Sequence, residues 1–236
     1  MKMLLPTLLA ALLLALPAVA ACEPRQTEIR VTENIAQPRI DFSKTAAQIK
    51  NLKTGDAAAS DYKYAEMTGL TDATISVDSE IRTTASGSTN GPTCIWPSVI
   101  SVKLSTAPII YIDASHGECR KNVALEHEMG HVAIDRQVIE RYIPIVRNHI
   151  ALLAEAIGST SAPSYDSLAI ARERIEDKVN ALLTVIDDSL IADRAAAAQA
   201  HDTPEEYRRV SMACRTITID SAHSAPHGNP DGKHGN

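Results

Sequence analysis

Residues 122–142 read NVALEHEMGHVAIDRQVIERY, and this stretch decides how the middle of the chain folds. It contains no proline and only one glycine, so the sequence predicts an α-helix from Asn122 to Tyr142. At 3.6 residues per turn, such a helix has one apolar side and one solvated side. We expect the apolar side to carry Leu125, Met129, Val132 and Ile139, and the solvated side to carry Glu126, Gln137 and Glu140.

A third stripe of the predicted helix contains two histidines. His127 and His131 are four residues apart, so they lie on one face of a helix, one turn above the other. Two imidazoles placed in this way can bind one metal ion, and Glu128 then lies beside that ion as a candidate base. The pattern H-E-x-x-H therefore indicates a metal site. The alternative interpretation is a chance pair, with one histidine in the core and the other at the surface.

The N-terminus predicts export. Residues 1–21 combine Lys2, a short apolar run and an Ala18-Val19-Ala20 cleavage site, the three parts of a signal peptide. No second apolar run is long enough to span a membrane, so we expect no transmembrane segment in the mature chain. We expect a periplasmic or secreted protein. A formal net charge of −6 argues against nucleic acid as a partner.

The four cysteines fit an exported protein with two disulfides. Of the three possible connectivities, we prefer Cys94–Cys119 with Cys22–Cys214, because the first would fasten the strands to the start of the metal-binding helix. Val19-Ala20-Ala21-Cys22 also resembles a bacterial lipobox. A lipoprotein anchored through Cys22 is therefore the alternative to ordinary cleavage.

Hydrophobic patterning along the chain predicts strands first and helices second, the order expected of an α+β fold. The predicted strands are Glu28–Val31, Tyr62–Met67, Ala73–Arg82, Pro97–Leu104 and Pro108–Ile112. Four helices are predicted besides 122–142. The first begins at a Ser43 cap and ends near Gly55, and the second covers Ile145–Ile157 after a break or kink at Pro144. The third covers Ser167–Ala200, with a buried face of Ile175, Val179, Leu182, Ile186 and Leu190. The fourth begins at a Thr203 cap, with Pro204 in its first turn and Glu206 completing a capping box. We expect a single domain at 22–220, mainly β over 22–115 and mainly helical over 116–220. A disordered tail is expected at 221–236.

This arrangement resembles the zincin metallopeptidases, in which a sheet precedes the H-E-x-x-H helix. Over most of residues 38–214 the layout is also similar to a family of uncharacterised bacterial exported proteins described as predicted zinc proteases. Those proteins carry a Tyr-Asp motif after a long helix, and His201-Asp202 stands in that place here. The resemblance implies a metalloprotease that binds Zn²⁺ through His127 and His131 and hydrolyses a peptide or protein substrate. Glu128 would be the general base that takes a proton from a zinc-activated water.

A catalytic zinc site needs a third protein ligand, and the sequence leaves it open. The candidates are Asp202 and His201 together, then Asp193, then Glu205. Asp135 lies eight residues from His127, about 12 Å along a helix axis, which is too far for a shared metal ion. We therefore predict Asp135 as a hydrogen-bond partner of His131, or simply as a polar group at the cleft. Tyr207 could hydrogen-bond a tetrahedral intermediate, or be a packed helix residue.

Two other functions remain open at this point. A non-catalytic zinc-binding or assembly protein of the cell envelope would keep the helix but have an incomplete site. A different metal amidase, similar to the peptide deformylases, would use H-E-x-x-H with an upstream cysteine, for which Cys94 is the candidate.

Overall fold

Strands occupy the first half of the chain and long helices the second half, as expected of an α+β fold. The computed structural model describes residues 22–52, 69–87 and 93–214. The expected signal peptide, the predicted strand Tyr62–Met67 and the expected tail lie outside these described residues. The strands are β1 (Glu28–Ile35), β2 (Arg39–Asp41), β3 (Gly69–Asp72), β4 (Ile75–Ser86), β5 (Thr93–Thr106), β6 (Ile109–Ile112) and β7 (Thr160–Ala162). The helices are α1 (Ala46–Leu52), α2 (Glu118–Ile157), α3 (Tyr165–His201) and α4 (Pro204–Met212).

The larger sheet is built around the long strand β5. Within the described residues, β1 pairs with β5 in parallel, while β4 and the short β7 pair with β5 antiparallel. The predicted strand Pro97–Leu104 is confirmed, but it begins four residues earlier, at Thr93. Pro97 has no N–H to donate, and the β4–β5 register shifts there, so that no β4 residue stands opposite Ser98 in the register; the Ser98 hydroxyl donates to the Arg82 carbonyl oxygen at 3.1 Å.

The smaller sheet has the described order β2-β6-β3, with β3 antiparallel to β6. Neither β2 nor β3 was predicted, because segments of three and four residues are too short to show an alternating pattern. Ile110 and Ile112 of β6 pack against Ala124 and Val132 of α2. The smaller sheet therefore lies on the N-terminal part of the helix that carries the two histidines.

Helix α2 is longer than predicted and runs through Pro144 without ending there. Its solvated side is confirmed, since Glu126, Gln137 and Glu140 are exposed. Its apolar side is only partly as predicted: Ile139 is fully buried, but Met129 is 40% exposed. Val132 of that side is also buried, and the buried surface extends to the stripe that contains His127, Asp135, Val138 and Tyr142. The tertiary contacts of α2 therefore involve the face on which the sequence places the metal ligands.

Helix α3 packs beside α2 over the larger sheet. Val179, Ile186 and Leu190 were predicted to be buried and lie in the main core with Ile139 and Val146 of α2. Burying one such side chain stabilises the fold by about 1.5–3 kcal/mol, so this interface holds the two helices at a fixed separation. The C-terminal end of α3 is thereby fixed beside the histidines of α2.

The first short helix is capped by a residue other than the one predicted. Thr45, and not Ser43, stands at the cap: Thr45 N donates to Gln48 Oε1 at 2.9 Å, and Gln48 N donates to Thr45 Oγ1 at 3.4 Å. Ser43 instead bonds Asp41. The T-x-x-Q sequence supplies both halves of a capping box, which a single serine at 43 does not.

The predicted disulfide connectivity is wrong. Cys22 is bonded to Cys94, and Cys119 to Cys214, so the second bond ties the start of α2 to the residue just beyond α4. Closing loops of this length stabilises a fold by roughly 4 kcal/mol per bond in the chain-entropy account. Two disulfides fit an extracellular or periplasmic location. The Cys22 sulfur cannot hold both this bond and a lipid, so the pairing argues against a lipid anchor at Cys22.

None of the helices in the described ranges is apolar enough over a sufficient length to cross a lipid bilayer.

Candidate metal centre

Three imidazoles converge where α2 meets the end of α3. His127 and His131 are on consecutive turns of α2, and their ring centroids are 5.2 Å apart. His201 is the last residue of α3, and its ring is stacked on His127 at 4.7 Å. One nitrogen from each of the three side chains lies within 4.8 Å of the other two. This group could hold a metal ion, since neutral imidazole is a common metal ligand.

Asp202, the C-cap of α3, brings a carboxylate to the same point. Its Oδ1 lies 3.2 Å from His127 Nε2 and 3.0 Å from His131 Nε2. Two ligand atoms on one tetrahedral zinc are separated by about 3.3 Å, given bonds of about 2.0–2.1 Å. Yet this oxygen is buried and has no hydrogen-bond partner of good geometry in the described chain. A buried oxygen that faces two imidazole nitrogens without a hydrogen bond fits a metal ligand.

The two histidines also determine the charge of Asp202. Burial raises its pKa, but the His127 and His131 side chains outweigh burial and hold that pKa well below its usual range. Asp202 is therefore an ionised carboxylate, the form in which it can bind a cation. Both residues that the sequence ranked first as third ligands thus lie in the cluster.

Gly130, within H-E-x-x-H, lets the end of α3 approach α2. A Cβ atom at Gly130 would overlap the ring of His201. His201 Nε2 is also 3.1 Å from the backbone carbonyl oxygen of His127, so the ring lies directly on the helix backbone. Gly130 has no side chain to bind a metal, but its bare backbone makes room for His201 and the adjacent Asp202.

We expect Gly130→Ala to weaken metal binding at least tenfold. Alanine favours a helix over glycine by about 1 kcal/mol, so the helix itself should not suffer. The new methyl group must displace His201, and the adjacent Asp202 moves with it. Isothermal titration with zinc measures the change, with Gly117→Ala as the control, because a Cβ at Gly117 meets nothing within 4 Å. Equal affinities in the two variants would show that the His201-Asp202 turn does not contribute to binding.

The other nitrogen of His127 faces helix α4. His127 Nδ1 is 3.2 Å from Glu206 Oε1, and Arg209 holds the same carboxylate at 2.7 and 2.8 Å. Arg209 first, and then His127, lower the pKa of Glu206 to about 2, against the effect of burial. The Glu206 carboxylate binds Nδ1 of His127, so Nε2 is the nitrogen that faces Asp202 and the cluster. A metal-binding histidine usually has its other nitrogen bound to a carboxylate or carbonyl in this way.

Sequence reasoning assigned Glu206 a different task. Thr203 does cap α4, since Glu206 N donates to Thr203 Oγ1 at 3.1 Å, and Pro204 stands in the first turn as predicted. The Glu206 side chain, however, does not reach back to complete the predicted capping box. It contacts His127 of α2 and Arg209 of α4 instead, because the Glu206 side chain points toward α2. Both contacts pair the carboxylate with a nitrogen that can donate to it.

Glu128 is buried beside the cluster, with a relative exposure of 6%. Thr71 Oγ1 on β3 donates to Glu128 Oε2 at 2.8 Å. Burial raises the pKa of Glu128, while His131, Thr71 and His127 act in the opposite direction. A carboxyl group whose pKa is raised toward neutrality is suited to accept and return a proton.

The remaining sequence candidates lie elsewhere. The predicted hydrogen bond between Asp135 and His131 is wrong. Asp135 is 1% exposed and accepts two hydrogen bonds from Arg194 on α3. Asp193 Oδ2 accepts a hydrogen bond from the Tyr142 hydroxyl at 3.1 Å. Glu205 Oε1 lies 3.9 Å from Arg208 Nη2. Neither of these two acids joins the cluster. The Tyr207 ring lies 5.7 Å from that of His127, at the edge of the centre.

Comparison with known proteins adds no assignment: no family model, curated protein or solved structure matches this chain.

Proposed function

We propose that this protein is an exported, zinc-dependent metallopeptidase. The observation that carries the proposal is the meeting of His127 Nε2, His131 Nε2 and Asp202 Oδ1 at separations of 3.0 and 3.2 Å from the aspartate oxygen. A buried glutamate adjoins this set. Such a combination suits metal-assisted hydrolysis, because it offers three protein ligands and a base.

We assign His127, His131 and Asp202 as the zinc ligands. His201 is the less suitable third ligand, because its Nε2 already lies against the carbonyl oxygen of His127. Two imidazoles and one carboxylate form a donor set typical of catalytic zinc, and three ligands leave one position open for substrate and water. A zinc ion held there would supply Lewis acidity to a water molecule and to a carbonyl oxygen.

Glu128 performs the proton transfer in this proposal. Its carboxylate takes the proton that the attacking water loses and returns it to the amine nitrogen that departs when the C–N bond breaks. Glu206 holds His127 through Nδ1, so that Nε2 keeps its lone pair for the metal. The substrate is a peptide or a protein; export is inferred from residues 1–21 and is supported by the two disulfides.

Metal content is the test of the site. We expect about one zinc per chain in the purified mature protein and none in His131→Ala, because two remaining ligands hold zinc weakly. His149→Ala is the matched control, since His149 is exposed and bonds its own helix at Ile145. Zinc removal with a chelator should abolish hydrolysis of an unfolded protein, and added zinc should restore it. Absence of zinc in the wild type after reconstitution would rule out the metal site and with it the peptidase.

One observation favours a second candidate function. Four donors, not three, lie at the centre, because both His201 and Asp202 reach it. Zinc with four protein ligands has no open position and is structural. In that case the protein would be a non-catalytic zinc-binding component of the cell envelope, which binds zinc fully and hydrolyses no substrate. The deformylase-like reading has lost its basis, because Cys94 is in a disulfide.

A further inference from the structure

Two of the four residues of β3 lie next to Glu128, the proposed general base. Gly69 and Thr71 are two apart and therefore lie on one face of the strand, the face toward α2. Leu70 and Asp72 lie on the other face. Thr71 contacts Glu128 directly, and a side chain at Gly69 would collide with it, so this face of β3 adjoins the glutamate.

The Thr71 hydroxyl lies between the Glu128 carboxylate and the helix backbone. Its Oγ1 is 2.8 Å from Glu128 Oε2 and 3.1 Å from the Glu128 carbonyl oxygen. A hydroxyl has one proton and donates to one of these oxygens at a time, and Oε2 is the nearer. A hydrogen bond of this length to a carboxylate restricts the last torsions of a glutamate side chain, which otherwise rotate freely.

Gly69 supplies the space on the other side. A Cβ atom at this position would lie 2.8 Å from Glu128 Oε1 and 2.9 Å from Glu128 Cγ. Any side chain at 69 would therefore push the carboxylate away. Thr71 thus contacts one carboxylate oxygen, Oε2, while the absence of a side chain at Gly69 leaves room for the other, Oε1.

We propose that Thr71 is a positioning residue that fixes the Glu128 carboxylate in the orientation in which it takes and returns its proton, with Gly69 providing the room. The inference rests on the proposed peptidase function. A general base acts only within hydrogen-bond reach of the proton it removes, and a misplacement of about 1 Å lowers the rate by about 100-fold. Thr71 touches neither the metal nor the reacting atoms; it acts through Glu128.

The test compares Thr71→Val, which keeps the shape but removes the donor, with Thr71→Ser, which keeps the donor. Thr84→Val, at an exposed position of β4, is the control for loss of a strand threonine. Zinc content, kcat and KM on an unfolded protein substrate, and a crystal structure of each zinc-loaded protein are measured. We expect Thr71→Val to keep its zinc and its KM, to show a rotated Glu128 carboxylate, and to lose about 10- to 100-fold in kcat. Thr71→Ser should retain most of the wild-type kcat.

Two results would overturn the inference: wild-type turnover in Thr71→Val, or a loss of turnover with the carboxylate unmoved. A wild-type protein that binds zinc but hydrolyses no substrate refutes the proposed function instead. In that case the crystal structures still decide the positioning claim, because an unmoved Glu128 in Thr71→Val contradicts it and a rotated one supports it.

Discussion

Glu128→Gln should keep a full complement of zinc and lower turnover by about 10²- to 10⁴-fold, the usual contribution of a general base. Glutamine has the shape of glutamate, and its amide oxygen can still accept the hydrogen bond from Thr71. What it cannot do is take a proton. A large fall in kcat with unchanged metal content therefore separates proton transfer from metal binding.

Glu126→Gln is the matched control for this substitution. Glu126 lies two residues away on the same helix, but it is exposed and lies 3.4 Å from Arg209. Measuring zinc content and kcat for both variants on one substrate corrects for the loss of a negative charge near the site. Undiminished turnover in metal-loaded, pure Glu128→Gln protein would refute the assignment of Glu128 as the base.

Asp202→Ala should weaken zinc binding by on the order of 100-fold or more, whereas His201→Phe should change it by less than about tenfold. The reason is that Asp202 Oδ1 lies between the two motif nitrogens, while His201 Nε2 lies on a backbone carbonyl. Phenylalanine keeps the ring that packs against Gly130 and His127, so the fold of the turn is preserved. Competition with a zinc-sensitive dye measures both affinities, and thermal unfolding of the metal-free proteins verifies that each is folded.

The same pair of variants decides between the two candidate functions. A large loss of affinity in Asp202→Ala alone fits three ligands and an open position. Equal losses in Asp202→Ala and His201→Phe would mean that four side chains bind the ion. The site would then be closed, and the non-catalytic reading would replace the peptidase.

Local periodicity was sufficient to predict the half of the site on α2. The four-residue spacing of His127 and His131 fixes their common direction once the segment is a helix, and the structure has that helix. The cap at Thr203 was also predictable, because capping depends on residues within one turn. These features are determined by neighbours in the chain.

The other half of the site depends on how the long helices pack, so no local pattern predicts it. His201 and Asp202 were candidates only through the resemblance, in which they stand at the place of a Tyr-Asp motif after a long helix. Nothing local to these two residues indicates that the packing of α3 on α2 brings them to the histidines. The pairing of Asp135 with His131 was wrong for the same reason, because the sequence does not show that Arg194 faces Asp135 across the helix pair. Gly130 was a local signal, since glycine in a helix costs about 1 kcal/mol relative to alanine and here leaves room for His201.

Helix α4 carries the Glu206 contact to His127 and yet buries none of its residues fully. Segments with so little buried surface open locally at a small fraction of the free energy of global unfolding. An ion at the proposed site should then enter and leave at the rate at which α4 opens locally, and not at the rate at which the whole domain unfolds. The Cys119–Cys214 bond ties the residue just beyond α4 to the start of α2, so its reduction should shorten the exchange lifetime of an ion held at the proposed site.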